Sequence, residues 1–235
     1  MGFEMVPRHI AMIMDGNRRW AEKNGVSTLE GHEAGAKTVR RVVDYCQVHG
    51  VKYLTLYAFS TENWKRPPIE VKGLMGLLTV FLRKYIREMN EKGVKLDFIG
   101  RIDGLPSAQR NAISEAIKST SANKNWNLVL AVNYGGRSEI IDATVKMASD
   151  IASGLIKAAD INEEKFRKFL YYPSLPDPDL LIRTSGETRL SNFLLWQVSY
   201  SEIYFSKVLW PDFSEDDFKE ALKFYSEKQR RFGGR

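Results

Sequence analysis

The feature that most constrains this chain is a regular alternation. Six short apolar runs, Ile10–Met14, Tyr53–Phe59, Lys95–Ile99, Leu128–Val132, Leu180–Ile182 and Ile203–Phe205, are separated by longer segments with helical periodicity. The runs are nearly continuous in hydrophobicity and lack the in/out pattern of a strand with one wet face, so each reads as a strand covered on both sides. Helical patterns fall near 33–48, 69–91, 106–121, 137–153, 162–170 and 214–230. Ser138 with Asp142, and Ser214 with Asp217, read as helix starts, a small hydroxyl followed by an acid. Strand–helix–strand alternation predicts an α/β fold: a mostly parallel sheet flanked by helices on both faces. Ligands of such sheets sit at the carboxyl ends of the strands. The polar loops after Met14, Phe59 and Ile182 should therefore converge on one site.

Hydrophobic residues make up 43% of 235, enough for a real core, and no repeat, low-complexity tract or long linker interrupts the chain. We read a single domain over 1–235. One cysteine, Cys46, excludes an intrachain disulfide and a cysteine-based metal cluster. Met1–Arg8 carries no apolar signal core, and no run approaches the ~18 apolar residues of a spanning helix. A soluble, cytoplasmic protein is expected, with contact at a bilayer surface left open. The net charge of +6 favours anionic partners, whether nucleic acid, acidic lipid or phosphorylated small molecules; a merely basic surface is the alternative. Base-reading modules and arginine-rich tracts are absent, which argues against nucleic acid.

Three loops at predicted strand ends carry arginines. In Asp15-Gly16-Asn17-Arg18-Arg19-Trp20 a strand ends on a carboxylate and a helix begins directly after it. Exposed N–H groups there bind phosphate, Arg19 adds a charged fork, and Asp15 can hold Mg²⁺ together with phosphate oxygens. Asp-Gly-Asn is also a common turn. The second loop runs from Ser60 to Glu70 through Asn63, Trp64 and Arg66, and reads either as a lid or acceptor site or as an ordinary connection with two prolines at a helix start. The third holds Arg183, Arg189 and Ser191, which together would clamp a diphosphate with two planar forks and a hydroxyl; singly, each arginine could be a surface salt bridge. Glu202, opening the next strand, could supply a second Mg²⁺ carboxylate. His32 is either a structural histidine or a diphosphate donor, and His49 reads as a helix C-cap. The helix near 70–91 has a very broad apolar face, which either packs on the sheet or lines an apolar tunnel.

Together these segments resemble the cis-prenyltransferases, the undecaprenyl diphosphate synthase family. The likeness rests on His9-Ile10-Ala11-Met12-Ile13-Met14-Asp15-Gly16-Asn17-Arg18-Arg19-Trp20, then Gly31-His32-x-x-Gly35, Leu56–Pro67 with Glu70-Val71, Asn133–Arg137, Ile182–Glu187 through Phe193–Gln197, Leu209–Asp212 and Arg230–Gly234. It spans about residues 8–235, in order. The resemblance implies a single domain with a six-stranded sheet and an apolar tunnel, acting as a homodimer with Mg²⁺ as cofactor. It implies coupling of an allylic prenyl diphosphate to a five-carbon isoprenoid diphosphate to give a Z-configured product; the lack of an insertion after helix 70–91 relative to bacterial members, and large side chains such as Phe81, predict short-to-medium length. By matching positions, Asp15 would be the catalytic Mg²⁺/diphosphate carboxylate. Gly16, Asn17, Arg18 and Arg19, with Trp20 beside them, would bind the allylic diphosphate, and His32 would assist its departure. Ser60, Asn63, Trp64, Arg66 and Glu70 would form the acceptor loop, with Asn63 near the proton lost. Arg183, Arg189 and Ser191 would hold the acceptor diphosphate, and Glu202 would share the Mg²⁺. Arg231 and Gly233 would reach a neighbouring subunit's site.

Two positions depart from the family pattern. Thr28 stands where an arginine is usual in the allylic pocket, which raises irregular, lavandulyl-type coupling with dimethylallyl diphosphate as acceptor as the alternative reaction. Arg18, where bacterial members commonly have glycine, leans towards an archaeal or eukaryotic type. A non-catalytic partner subunit is disfavoured because Asp15, Arg183 and Arg189 are all present.

Overall fold

The computed structural model describes residues 5–228. Six strands form one sheet: β1 (His9–Ile13), β2 (Tyr53–Ser60), β3 (Val94–Ile99), β4 (Trp126–Tyr134), β5 (Leu180–Arg183) and β6 (Glu202–Phe205). The helices are α1 (Asn17–Asn24), α2 (Thr28–Val48), α3 (Pro68–Glu91), α4 (Ser107–Thr120), α5 (Gly136–Ala152), α6 (Glu163–Arg167) and α7 (Glu215–Ser226). Strand order is β3-β4-β2-β1-β5-β6 and every pairing is parallel. The chain builds outward from β1 to one side and then returns to add β5 and β6 on the other. A switch point between β1 and β5 results, where a doubly wound sheet opens a crevice.

The two faces of the sheet bury separate clusters. Ile10, Met12, Leu54, Leu56, Leu128 and Leu130 pack with α2, α3, α4 and α7, whereas Ala11, Ile13, Val129, Ala131 and Leu181 pack beneath Tyr134, Phe193 and Leu194. That both alternating sets are buried explains the continuous apolar runs in the sequence.

Local signals account for most helix ends. Ser214 and Asp217 form the expected capping box. A second box, Ser27 with Glu30, starts α2 five residues earlier than its periodicity predicts. His49 caps the other end of α2 and meets Glu215 at 3.2 Å. Ser138 is not a cap: α5 starts at Gly136, and Asp142 instead takes a two-pronged bond from Arg101 at 2.8 and 2.9 Å. No described helix is long and apolar enough to cross a membrane.

Candidate active site

The site is built where β1 and β5 end. Ile13 is in register with Arg183, so the Asp15 loop and the Arg183 side chain meet at the same edge of the sheet. Arg183 Nη2 donates to Asp15 Oδ2 at 2.8 Å, and Arg19 Nη2 lies 3.5 Å from the other carboxylate oxygen. Thr184 locks the loop's backbone: its hydroxyl accepts from the Asp15 N–H at 2.9 Å and donates to the Asp15 carbonyl at 2.7 Å. Gly16 then turns with φ 110°, and a Cβ there would press on Leu209 and Ser185 at 3.0–3.1 Å. Glycine alone fits this turn.

Arg183 is 3% exposed. Its Nη1 donates to Ser191 Oγ at 2.7 Å and to the Arg189 carbonyl, which fixes the guanidinium plane, while Nε has no partner among the described residues. Arg19 is oriented by the hydroxyl and carbonyl of Ser185 and by Glu187 at 3.4 Å. Arg189 reaches Glu187 from a more exposed position. Ser185, Ser191, Asn192 and Leu194 all have φ between 45° and 73°. Each such residue costs about 1–3 kcal/mol, a concentration of strain that packed structures tolerate mostly where function requires it.

Across the crevice, Arg66 Nη1 bonds Glu70 Oε1 at 2.9 Å, and His32 Nε2 stands 3.6 Å from the same oxygen with no hydrogen-bond partner among the described residues. Burial, followed by the Arg66 charge, holds the His32 pKa below its ordinary value despite Glu70. The imidazole is therefore neutral at neutral pH. Asn63 Oδ1 accepts from the Ser60 N–H at 3.0 Å, which curls the second loop towards the pocket.

These groups surround two connected polar pockets. One, of about 590 Å³, is lined by Asp15, Ser60, Asn63, Arg183, Arg189 and Ser191. The other, of about 350 Å³, is lined by Asp15, Gly16, Arg18, Arg19, His32 and Glu70. Arg66 borders both. Five guanidinium groups against a few paired carboxylates make a pocket for polyanions. Met14, Asn17 and His32 pass directly into an apolar cleft of about 120 Å³ between α2 and α3, closed by Ala36, Val39, Leu74, Leu78, Phe81 and Leu130. Part of the broad apolar face of α3 thus lines a cleft, while Met75, Leu82 and Met89 join the core.

Three expected site residues lie elsewhere. Trp20 donates its indole N–H to Asp212 at 2.6 Å, and Trp64 donates to Asn133 at 2.8 Å with its ring edge-on to Phe59; neither lines the pockets, and both anchor the loops that do. Glu202 is paired with Leu180 at the amino end of β5, whereas Asp15 follows the carboxyl end of β1. A residue that opens a parallel strand lies on the far edge of the sheet, three residues or roughly 10 Å along the strand from the level of Arg183. Within one chain, Glu202 and Asp15 do not meet around a shared ion. Arg231 and Gly233 fall outside the described residues.

The structure also adds residues. Tyr57 lines the larger pocket, stacks on Phe193 at 4.4 Å and donates to the Ser191 carbonyl at 3.3 Å. Asn192 lines it too and ties Glu62 to the start of α5. Position in a strand pattern could have flagged Tyr57, whose neighbour Ala58 faces the apolar cleft. Nothing in the sequence announces the positive φ that turns Asn192 inward.

Among the described residues no group of three His, Cys, Asp or Glu side chains could hold a metal. Asp15, opening on a roomy anion pocket, suits Mg²⁺, which binds through one or two carboxylates plus phosphate oxygens and water.

The fold and site define a parallel α/β protein with a guanidinium-lined anion pocket beside an apolar cleft. The Prenyltransf family model (undecaprenyl diphosphate synthase) matches residues 13–233. An isoprenyl transferase of Clostridium perfringens is 49% identical over 231 residues, 98% of this chain and 91% of that one. The ditrans,polycis-undecaprenyl-diphosphate synthase ((2E,6E)-farnesyl-diphosphate specific) of Micrococcus luteus is 49% identical over 229 residues, 97% of this chain and 92% of its own length. The crystal structure of lavandulyl diphosphate synthase from Lavandula x intermedia, in complex with dimethylallyl diphosphate, superposes with a TM-score of 0.95 at 39% identity, covering 97% of this chain and 98% of that one. The chain belongs to the cis-prenyltransferase family. Two of these relatives are bacterial at 49% identity, so Arg18 does not by itself set the chain apart from bacterial members.

Proposed function

We propose that this enzyme joins an allylic prenyl diphosphate to isopentenyl diphosphate, releases diphosphate and forms a short-to-medium (Z)-polyprenyl diphosphate. The observation that carries this reading is the continuity of a guanidinium-lined anion pocket with an apolar cleft through Met14, Asn17 and His32. A diphosphate head lies among Arg19, Arg66 and the N–H groups that open α1, with its hydrocarbon tail between α2 and α3. Arg183 and Ser191 hold the acceptor's diphosphate, and Asn63 faces the carbon that loses its proton.

Asp15 and the diphosphate oxygens would hold Mg²⁺, which when bound neutralises charge on the departing diphosphate. Arg19 is fixed before reaction, so it offsets developing negative charge without reorganising. The apolar walls keep water from the allylic carbon as positive charge develops there. Neutral His32 can donate one N–H to a phosphate oxygen without adding a second cation to the apolar mouth. Supporting a cytoplasmic homodimer are the family resemblance and the exposed apolar side chains Ile141, Val145 and Tyr200, which a second copy would cover.

Irregular coupling with dimethylallyl diphosphate as acceptor is the second reading. It is favoured by Thr28, which supplies no guanidinium to the allylic side, and by the close superposition on lavandulyl diphosphate synthase. Incubation with radiolabelled isopentenyl or dimethylallyl diphosphate and a panel of allylic primers, with Mg²⁺ or EDTA, tests both. Linear products from isopentenyl diphosphate alone support the first reading, branched products from dimethylallyl diphosphate the second, and no Mg²⁺-dependent product removes both.

A further inference from the structure

The outer face of α3 is not explained by the reaction. Ile69, Lys72, Gly76, Val80, Arg83 and Arg87 are exposed at spacings that follow one stripe of a helix. Ile69 is 83% and Val80 59% exposed. Leu29 of α2, 43% exposed, lies over Gly73 beside them. Single exposed apolar side chains are ordinary; here two on one stripe, with Leu29 beside them, are interleaved with cations. Lys72 and Arg83 have no ion-pair partner among the described residues, and Lys84 only lies over the Tyr85 ring at 5.5 Å. The acids of the helix are occupied: Glu70 by Arg66, Glu88 by Arg40 and Lys92, Glu91 by Arg87. The stripe is therefore apolar and positively charged.

The inner face of the same helix supplies Leu74, Leu78 and Phe81 to the apolar cleft. One helix, about 10–12 Å thick with its side chains, thus separates the cleft from solvent. A basic helical face bearing a few apolar side chains suits the headgroup region of an anionic bilayer, where cations meet the lipid charge and aliphatic groups enter the acyl boundary. We propose that the outer face of α3, with Leu29, docks this enzyme on an anionic lipid surface. Resting on the prenyl diphosphate reading, this contact brings the cleft within one helix diameter of the phase into which an anionic product with a hydrocarbon tail partitions. The docking itself needs only the surface described.

Each Lys or Arg close to an anionic membrane contributes about a fivefold gain in partitioning. The test is co-sedimentation of the full chain with phosphatidylglycerol vesicles and with pure phosphatidylcholine vesicles. The wild type should bind the anionic vesicles, lose that binding in high salt and ignore the neutral ones. Lys72→Gln/Arg83→Gln/Lys84→Gln should weaken partitioning on the order of a hundredfold, and Ile69→Ser/Val80→Ser should weaken it on the anionic vesicles at unchanged charge. A control, Lys118→Gln/Lys124→Gln/Lys168→Gln, removes as many exposed charges elsewhere and should bind nearly as the wild type does. Any of three results would overturn the proposal: no wild-type binding to phosphatidylglycerol, equal losses in the α3 and control triples, or equal affinity for polyglutamate or duplex DNA with Ile69→Ser/Val80→Ser unaffected. Prenyl transfer from short soluble primers, measured without lipid, reports separately on the catalytic reading and confirms that the surface variants fold.

Discussion

Arg183 donates to Asp15 at 2.8 Å, and these two residues, 168 apart in sequence, hold the ends of β5 and β1 in one electrostatic unit. The pairing presents an almost wholly buried guanidinium with its plane fixed by Ser191 and the Arg189 carbonyl. A lysine keeps the charge but loses the planar fork. Arg183→Lys should raise KM for the five-carbon diphosphate by about tenfold or more with a smaller change in kcat. Asp15→Asn, which leaves shape but removes the charge that balances Arg183 and Arg19, should lower kcat by roughly 10²–10³-fold. Steady-state kinetics on both substrates separates the two effects; equal kcat losses with unchanged KM in both variants would refute the assignment.

Gly35 allows α1 and α2 to touch. A Cβ at this position would stand 2.2 Å from Asn17 Oδ1 and 2.9 Å from Trp210 Cδ1, and Trp210 already donates its indole N–H to the Gly35 carbonyl at 2.9 Å. Gly35→Ala must displace Asn17 from the mouth of the apolar cleft. Overpacking of this kind costs about 1–3 kcal/mol. Thermal denaturation should show the lower stability, and allylic KM should rise with it; an unchanged Tm would show that the two helices separate more easily than the contact suggests.

His9 is fully buried between the Pro176 carbonyl at 2.6 Å and Thr55 Oγ1 at 2.8 Å. Burial is the main cause that lowers its pKa from 6.5 to about 4, against the pull of Asp179 and Asp177. The unfolded chain therefore takes up a proton before the folded one as pH falls. The contribution of His9 to stability is complete above pH 6.5 and is lost progressively down to about pH 4. The swing is on the order of 3 kcal/mol. Urea unfolding across this window should show the slope, and His9→Gln should flatten it.

Phe81 closes the inner end of the apolar cleft against Tyr85, their ring centroids 4.8 Å apart. Phe81→Ala should lengthen the polyprenyl products, resolved by thin-layer chromatography after dephosphorylation, at a stability cost of up to about 3–5 kcal/mol. Products of unaltered length would move the length-setting wall elsewhere.

Much of this architecture was legible because the sheet is buried on both faces. Runs such as Leu128–Val132 could be strands of little else, and their alternation with helices prescribed parallel pairing. The ends were less readable. Arg183 lies inside β5, not after it, because its charge is neutralised by Asp15. Ser27 gives little sign of its capping role because the apolar pattern of α2 begins later. Glu202 was drawn to the site by its motif, yet strand direction puts it on the opposite edge. The two tryptophans carry the look of ligand groups in the sequence, whereas their indole N–H groups are satisfied by Asp212 and Asn133.

The switch point between β1 and β5 sets an order on biosynthesis. Asp15 is made 168 residues before Arg183, with Ser191 following later still. A nascent chain halted after α5 can pair β1, β2, β3 and β4, yet it presents a carboxylate with no counter-charge from β5. Affinity for pyrophosphate esters must therefore await the synthesis of β5. Substrate cannot act as a template for the pairing of β1 to β4; it can only select chains in which β5 is already in place.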